Sequence, residues 1–488
     1  MQAAPPPPSG SPATGSRHAM AVLTSLFFLW GFITVLNDVL VPHWKKLFIL
    51  SHAQSLLVQF CFFGAYFIGS LLYYLISRST GDPIERIGYK RGLIIGLGIS
   101  ALGCALFAPA TALHSYGAHL VALFVLGLGF TVLQIAANPF VAIVGPPEGA
   151  SSRLNLAQAF NSLGTTLAPL IGGWLIFANA DAVTAVRLPY VGLAVVLALI
   201  AVVVGATRLP EPARAVRTER SNALRHPQLR WGMLAIFCYV GAEVAIGSLF
   251  IGFLALDSVM GLGEDVAKHY LSLYWGGAMT GRFLGAVALN DRLSMGRKLA
   301  LMAGIGLLMF MLLVLLNAPL GGVLGTDGPW MPALFTAIEG TMHDLWPMAF
   351  LILLNIGVGL MARAHTGRAM ALFALVAALL VLGIIAMEGP WALWSIVAIG
   401  LFNSILWSNI FTLSIAGLGH DTAQGSSLLV MMILGGALIP WFQGGVIDLL
   451  HAEDGPTRAF HISFVLPLLC YAYLVWYGWR GSTLRQVA

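Results

Sequence analysis

The chain of 488 residues is too apolar for a soluble protein, since 58% of its residues are hydrophobic and only 9% are charged. Soluble domains carry about 25% charged residues, because a water-facing surface needs them. The formal net charge of +5 is small and does not argue for nucleic acid as a partner. The composition therefore indicates an all-α polytopic protein whose main partner is the lipid bilayer.

The N-terminal residues 1–19 are rich in Pro, Ala and Ser and predict a disordered tail. They lack the charged start and short apolar core of a cleaved signal. The four cysteines lie inside apolar runs without the spacing of metal ligands, so we expect no metal site.

Apolar runs of spanning length recur along the rest of the chain, and a transmembrane helix needs about 20 such residues. The runs show no alternation of period two, so helices are favoured over a β-barrel. About fourteen helices are predicted, at 20–42, 55–77, 91–109, 117–144, 152–178, 189–208, 229–256, 267–290, 298–317, 345–361, 369–387, 391–417, 426–450 and 460–479.

The loops between these helices differ strongly in basic residues, which orients the chain. If both termini are cytoplasmic, nineteen of the 25 Lys and Arg residues fall in inner segments and five in outer ones. Arg282 falls within a helix. This bias follows the positive-inside rule and predicts a bacterial inner-membrane protein with cytoplasmic termini.

A charged linker divides the chain into two halves. The predicted domains are a bundle over 20–208, a linker over 209–228, a second bundle over 229–479 and a tail over 480–488. The two stretches that begin with Gly-Arg at 296 and 367 resemble each other. We therefore expect an inserted hairpin near 298–361, including an outer loop over 318–344, although chance similarity of apolar helices is the alternative.

Asp38 and Glu243 lie inside predicted helices, where a carboxylate is expensive unless it faces a cavity or a partner. Asp38, beside Asn37 in the first helix, is a candidate proton carrier, because desolvation and hydration shift a carboxyl pKa in opposite directions. The alternative is a structural Asp near the outer interface. Glu243 is the second candidate, with Tyr239 one turn earlier and Arg282 as a possible ion-pair partner.

Uncharged amides are concentrated in a few helices and suit the hydroxyls of a neutral sugar, because an amide donates and accepts at once. The alternative for each is a hydrogen bond between helices. The candidate binding residues are Asn37, Gln134, Asn138, Asn155, Gln158, Asn161, Tyr239, Trp275 and Asn403, and Asn409 and the rings of Trp30, Tyr274, Trp407 and Trp441 lie nearby in the sequence.

The loop GDPIERIGYKR, from Gly81, has charges spaced to cap helix ends and clamp neighbouring helices, through Asp82, Arg86 and Arg91. An ordinary positive-inside loop is the alternative. The sequence has no phosphate-binding Gly-rich loop, metal-ligand set or nucleophile triad, so we expect neither an enzyme nor a cofactor.

These motifs resemble a known family. GDPIERIGYKR is similar to the loop signature of the major facilitator superfamily. LWGFITVLND, LQIAANPFVA, SSRLNLAQAFNSLGTTLAP, YVGAEVAIGS, YWGGAMTGRF and GLFNSI resemble the fucose:proton symporter family, in its glucose/galactose transporter branch. The resemblance implies the major facilitator fold, with two six-helix bundles around a sugar and a protonatable acid at Asp38.

The resemblance also bears on the substrate. In the fucose-permease branch a second acid precedes the AANPF stretch, and here Gln134, which cannot titrate, takes that place. We therefore expect proton-coupled uptake of a glucose- or galactose-type monosaccharide by a monomer. Fucose, mannose or N-acetylhexosamine as substrate, sodium coupling, facilitated diffusion and a non-transporting sugar sensor remain alternatives.

Overall fold

A computed structural model describes residues 12–48, 52–177, 186–207, 209, 222–319, 330–363 and 365–483. Within these ranges every regular element is an α-helix or a short 3-10 helix, which confirms the all-α prediction. Backbone groups in lipid bond within their own segment in this way because the hydrocarbon offers them no partner.

The first half of the chain consists of helices that run back and forth. They are α1 Pro12–Leu47, α2 His52–Thr80, α3 Pro83–Ile87, α4 Tyr89–Ala105, α5 Phe107–Ala112, α6 Tyr116–Ile143, α7 Ala150–Phe177 and α8 Arg187–Ala206. Helix α1 begins at Pro12, where the fixed φ of proline suits a first helical position. It therefore includes residues 12–19, which the sequence analysis had assigned to a disordered tail.

The second half contains more helices and several breaks. They are α9 Pro227–Leu254, α10 Glu264–Ala288, α11 Met295–Asn317, α12 Trp330–Asp344, α13 Trp346–Met361, α14 Thr366–Ala386, α15 Gly389–Asn403, α16 Leu406–Ile415, α17 Thr422–Met431, α18 Gly435–Ser463 and α19 Val465–Trp479. Gly455, with φ at +81°, kinks α18. Helix α12 lies inside the segment that was predicted as an outer loop, so that part of the prediction is wrong.

Most of these helices are long and apolar enough to cross a membrane. Among the described residues eleven spans meet that description, and the bent pair α12 and α13 raises the number to twelve. Helices α7 and α10, with 28 and 25 residues, occupy two further predicted positions and carry polar side chains described below. Each of the fourteen predicted runs overlaps helical residues, but the runs over 91–109, 391–417, 426–450 and 460–479 are each divided between two helices.

The two halves repeat one packing scheme. In the first half α1 packs along α7, and α4 packs along α6 and α8. In the second half α9 packs along α18, and α14 packs along α15 and α19. Helices α11 and α13 contact each other and α10, outside this scheme. The packing of α11 and α13 is thus consistent with the predicted inserted hairpin, while the exact domain boundaries stay a prediction.

Close packing of α1 on α7 depends on two glycines. A Cβ atom on Gly31 would collide with the backbone carbonyl of Asn161, and one on Gly164 would collide with that of Phe28. Small residues at such contacts let helix backbones approach in a membrane, where packing rather than water drives association.

Hydrogen bonds join the two halves at the end of the molecule where α7 and α14 begin and α10 and α16 finish. We call this the Arg-rich end, because Arg86, Arg153 and Arg292 lie in its loops or first helical turns. Ser151 Oγ lies 2.7 Å from Thr412 Oγ1 and 3.0 Å from Thr366 Oγ1, and Ser152 Oγ donates to the carbonyl of Ala286 at 2.6 Å.

The end of the linker is attached to the second half at the same end of the molecule. The backbone N–H of Asn222 donates to Asp421 Oδ1 at 3.0 Å, and Arg225 Nη2 lies 3.3 Å from Asp421 Oδ2. The N–H of Ala223 donates to Gln424 Oε1 at 2.6 Å, while Gln424 Nε2 donates to Ser77 Oγ in α2 at 3.2 Å.

Candidate functional site

Uncharged amides line the boundary between the halves, which we call the seam. Gln134 and Asn138 lie one turn apart on α6, and Asn155 and Gln158 lie on α7, all nearly or fully buried. Helix α16 packs against both α6 and α7 and adds the buried Asn409. We call these five residues, Gln134, Asn138, Asn155, Gln158 and Asn409, the seam amides.

The seam amides have few partners among the described residues. Asn155 Nδ2 donates to the carbonyl of Ser151 at 2.9 Å and to Asn409 Oδ1 at 3.3 Å. Both amide atoms of Asn138, together with Nε2 of Gln158 and Nδ2 of Asn409, lack a hydrogen-bonding partner within the described part of the chain. Buried polar groups normally have partners, so this seam has unused capacity for a polar ligand.

Gln134 belongs to a polar contact that reaches α1 and α2. Trp30 Nε1 donates to Tyr66 Oη at 3.2 Å, and the same hydroxyl is approached by the side chain of Gln134 at a geometry short of a hydrogen bond. This arrangement places an indole, a phenol and an amide together on three helices of the first half.

Asn161 lies on α7, where it was predicted to bind substrate. Its Nδ2 donates to the backbone carbonyl of Phe27 at 2.9 Å and so fastens α7 to α1. The structure therefore shows a helix–helix bond for this amide, which is the alternative that the sequence left open.

Glu243 and Arg282 form the predicted ion pair between α9 and α10. Arg282 Nη2 lies 3.7 Å from Glu243 Oε1, and Tyr239 Oη donates to the same oxygen at 2.7 Å. Arg282 also donates through Nε to the carbonyl of Ser404 at 3.2 Å and through Nη1 to Ser162 Oγ on α7. One guanidinium thus connects the acid of the second half to a hydroxyl of the first half.

Asn403 was predicted to bind substrate, but its amide is engaged inside the second half. Its Nδ2 donates to Tyr274 Oη at 3.2 Å, and its Oδ1 accepts from Tyr471 Oη at 2.6 Å. Tyr274 Oη in turn donates to the backbone carbonyl of Glu243 at 3.3 Å. Asn403 therefore joins α15 to α10 and α19 within the second half. The nearby amide that contacts the first half is that of Asn409.

The aromatic residues divide into two groups. Trp407 is 7% exposed, stacks on Phe411 beside the seam and has no partner for its Nε1 among the described residues. Trp275 is 40% exposed and packs edge-on to Tyr274. Trp441 is 71% exposed on the outer surface of the bundle, where lipid-facing aromatic residues are expected.

Asp38, the acid of the first helix, is described by its backbone alone. The backbone of Asn37 and Asp38 belongs to α1, shortly after Thr34. The side chains of both residues lie outside the described part of the structure, so their predicted roles stay predictions.

The loop after α2 contains a helix cap that was predicted from its spacing. Asp82 caps α3, accepting hydrogen bonds from the N–H groups of Ile84 at 2.9 Å and Glu85 at 3.4 Å, and Tyr73 Oη donates to the same oxygen. Burial raises the pKa of Asp82, while these hydrogen bonds and the N–H of Gln424, which faces it from α17, act in the opposite direction.

The two arginines of this loop differ from Asp82 in being exposed. The guanidinium of Arg86 lies over Gly81, and Arg91 faces outward at the start of α4. The clamp to neighbouring helices is therefore made by Asp82, whereas the arginines fit the positive-inside pattern.

Sequence reasoning missed the hydroxyls that accompany the amides. Ser162 contacts Arg282, Ser151 contacts Thr412, and the buried Ser408 and Ser426 have side-chain oxygens without partners among the described residues. The run of small polar residues in WSNIFTLS, from Trp407, is the signal that could have indicated Ser408 and Thr412.

Comparisons with known proteins agree with this architecture. The family model of the Major Facilitator Superfamily matches residues 19–379. The glucose/galactose transporter of Brucella abortus is 40% identical over 475 residues, covering 95% of this chain and 94% of its own length. The L-fucose-proton symporter of Escherichia coli K12 is 29% identical, covering 93% and 91%.

A solved structure supports the same relationship. The crystal structure of the transporter FucP in the outward conformation superimposes with a TM-score of 0.71 at 28% identity, over 96% of this chain and 100% of FucP. These relatives are transporters and not enzymes, as we expected for this chain. The chain belongs to the major facilitator superfamily, in the family that contains the glucose/galactose transporters and the fucose:proton symporters.

Proposed function

We propose that this protein is a proton-coupled symporter that takes up a neutral, glucose- or galactose-type monosaccharide across the bacterial inner membrane by alternating access. The observation that carries the proposal is the set of seam amides with unpartnered donors and acceptors. Support also comes from the relatives, because a glucose/galactose transporter is 40% identical over 95% of the chain.

The chemistry of the seam favours an uncharged, hydroxyl-rich substrate. The seam amides carry no formal charge, and each can donate and accept, as a sugar hydroxyl also does. The partly buried ring of Trp30 and the buried ring of Trp407 supply flat apolar faces for a pyranose. A charged substrate would find no counter-ion among these five side chains.

Proton coupling is assigned to Asp38, with Glu243 in a linked role. Glu243 is already balanced by Arg282 at 3.7 Å, so in this conformation it has a charged partner and a gating function suits it better than free proton exchange. Gln134 cannot titrate, which leaves Asp38 as the carrier in the first half. The L-fucose-proton symporter, at 29% identity, supports the proton as coupling ion.

Alternating access is supported by where the halves are joined. Ser151, Ser152 and Asn155 on α7 hold α10, α14 and α16 at the Arg-rich end. If that end is cytoplasmic, the structure corresponds to a state closed toward the cytoplasm. Opening toward the cytoplasm then requires these neutral hydrogen bonds to break, each of which contributes only about 1 kcal/mol net.

The test is uptake of labelled glucose and galactose by proteoliposomes with an imposed pH gradient. We expect concentrative uptake that collapses with an uncoupler, and an Asp38→Asn variant that retains counterflow exchange but loses concentrative uptake. Concentrative uptake that persists in Asp38→Asn would refute the assigned role of Asp38.

Two further arms separate the alternatives. Replacing sodium with choline distinguishes a sodium-coupled carrier, and competition with unlabelled fucose, mannose and N-acetylglucosamine ranks the substrates. Failure of every sugar to exchange, with binding intact, would favour a sensor over a transporter.

A further inference from the structure

We propose that helix α12 is an interfacial anchor that lies along the outer headgroup–acyl boundary of a zwitterionic bilayer instead of crossing it. The helix forms a 57° bend with α13, and none of its residues is buried in the protein. It packs only at the edge of the bundle, against α11 and α13.

The surface of α12 is divided into three lengthwise faces. The face toward the protein carries the partly buried residues Ala333, Leu334, Ala337, Ile338 and Thr341. Beside it runs an exposed apolar face formed by Met331, Phe335 and Met342, at 48%, 64% and 39% exposure. The remaining face is polar and exposed and carries Thr336, Glu339 and His343.

Neither a spanning helix nor a helix in water suits these faces. In a span, Glu339 would meet hydrocarbon, and an acidic side chain near the bilayer centre costs about 3 kcal/mol on insertion scales. In water, the apolar face would be an exposed patch of the kind that marks an interaction site. A helix lying in the interface gives the apolar face to acyl chains and the polar face to water.

The length of α13 and the residues at the bend are compatible with an interfacial position for α12. Helix α13 has 16 residues, or about 24 Å at the usual helical rise, somewhat less than the roughly 30 Å of hydrocarbon. If α13 crosses the hydrocarbon on its own, both of its ends lie close to an interface, and this suits Trp346 at its start because tryptophan is enriched there. Pro347 has no N–H to continue the hydrogen bonding of α12, which explains the break between the two helices.

The apolar face is also continuous with surface that lipid must already cover. Trp330 at the start of α12 and Trp346 at the start of α13 are 58% and 64% exposed, and Phe350 and Leu353 on α13 are 59% and 65% exposed. Helix α12 contains Glu339 and Asp344 but no Lys or Arg. Its charge therefore favours a zwitterionic lipid interface over an anionic one.

The experiment measures depth in the bilayer residue by residue. In a background whose four native cysteines are replaced by alanine, spin labels are placed on single introduced cysteines at Met331, Phe335 and Met342 on the apolar face and at Thr336, Glu339 and His343 on the polar face. Each variant is reconstituted in phosphatidylcholine, and collision with oxygen is compared with collision with a water-soluble nickel chelate. Leu308 on α11, which is 62% exposed, is the control for a site within a span.

We expect the apolar-face labels to lie at one shallow depth in lipid and the polar-face labels to be in water. A depth that increases steadily along α12, by about 1.5 Å per residue on both faces, would show a crossing helix and overturn the proposal. Accessibility of all six labels to the nickel chelate would overturn it as well. Shielding of the apolar face from both reagents would indicate a second copy of the chain on that face, which also contradicts it.

A second measurement needs no cysteine. The fluorescence of Trp330 is obtained as the difference between the native protein and Trp330→Phe. This fluorescence should be quenched more strongly by lipids brominated near the headgroup than by lipids brominated near the chain end. Equal or inverted quenching contradicts the interfacial placement. Sugar counterflow should be unchanged in Trp330→Phe, which verifies that the variant is folded.

Discussion

Asn155 on α7 donates a hydrogen bond from its Nδ2 to Oδ1 of Asn409 on α16, at 3.3 Å, and so connects the two halves through two uncharged amides. The bond leaves Oδ1 of Asn155 and Nδ2 of Asn409 without partners among the described residues. The Asn155–Asn409 pair can therefore hold the halves together through one hydrogen bond. It can still bind a substrate hydroxyl between them through Oδ1 of Asn155 and Nδ2 of Asn409.

Asn409→Ala and Asn403→Ala should therefore have opposite phenotypes. Asn409→Ala should weaken apparent sugar affinity roughly 5- to 30-fold, the equivalent of one to two hydrogen bonds, with little change in melting temperature. Asn403→Ala should instead lower the free energy of unfolding by about 2–4 kcal/mol, because it leaves the buried hydroxyl of Tyr471 unpaired and removes one of the two partners of Tyr274 Oη. Counterflow kinetics and thermal melts in detergent measure the two effects, and a reversed pattern contradicts the assignment.

The Glu243–Arg282 pair should show strong coupling in a double-mutant cycle. Each single variant, Glu243→Gln or Arg282→Gln, leaves a poorly hydrated charge and should destabilise the protein by about 3–5 kcal/mol. The double variant should recover part of that loss, because neither charge remains. Thermal stability of the four proteins gives the coupling energy, and strictly additive losses would argue against a functional pair.

A cross-link between Ser151 and Thr412 should stop transport. Their oxygens are 2.7 Å apart across the seam, so the corresponding cysteines are close enough to form a disulfide. Oxidised Ser151→Cys/Thr412→Cys protein should lose both net uptake and counterflow, and dithiothreitol should restore them. The variants that carry one of the two substitutions alone are the controls, and full activity of the cross-linked protein would show that these contacts need not open.

Gly164 and Gly192 provide a matched pair for the α1–α7 contact. A Cβ on Gly164 would meet the backbone of Phe28, whereas one on Gly192 in α8 meets nothing within 4 Å. Gly164→Ala should reduce stability by about 1–3 kcal/mol through overpacking. Gly192→Ala should be neutral or gain up to about 1 kcal/mol from helix propensity. Similar melting temperatures for the two variants would contradict the close approach.

Asp82 should make the protein less stable as pH rises. Burial raises its pKa above the unfolded value, so its favourable contribution is present at low pH and is lost as pH increases through the folded-state pKa. The melting temperature of Asp82→Asn relative to the native protein should therefore rise from pH 4 to pH 7. The opposite trend would mean that hydrogen bonds from Tyr73 and the facing amides outweigh the cost of burying the carboxylate.

The amide stripes and helix positions could be predicted from the sequence, because both depend on local periodicity and hydropathy. The choice between Asn403 and Asn409 could not. Helix α15 ends at Asn403 and α16 begins at Leu406, so the helical phase is lost between the two amides. Which of them faces the seam depends on tertiary packing.

Helix α12 escaped prediction for a different physical reason. Glu339, His343 and Asp344 interrupt its apolar residues, so it lacks a continuous apolar run of spanning length. The signal that remains is the spacing of Met331, Phe335 and Met342 on one helical face. Ser162 was missed because the sequence does not show which serine of α7 faces a charged partner, and the position of Arg282 gives it that role.

The attachment of Asn222, Ala223 and Arg225 to Asp421 and Gln424 has a consequence for dissecting the transporter into separately expressed fragments. A cut placed after residue 226 would remove these residues from the C-terminal fragment, which would then lack the 3-10 helix Ala223–Arg225 and its attachment. A cut before residue 222 preserves the attachment, and co-expressed fragments divided there are the ones that should reassemble into an active carrier.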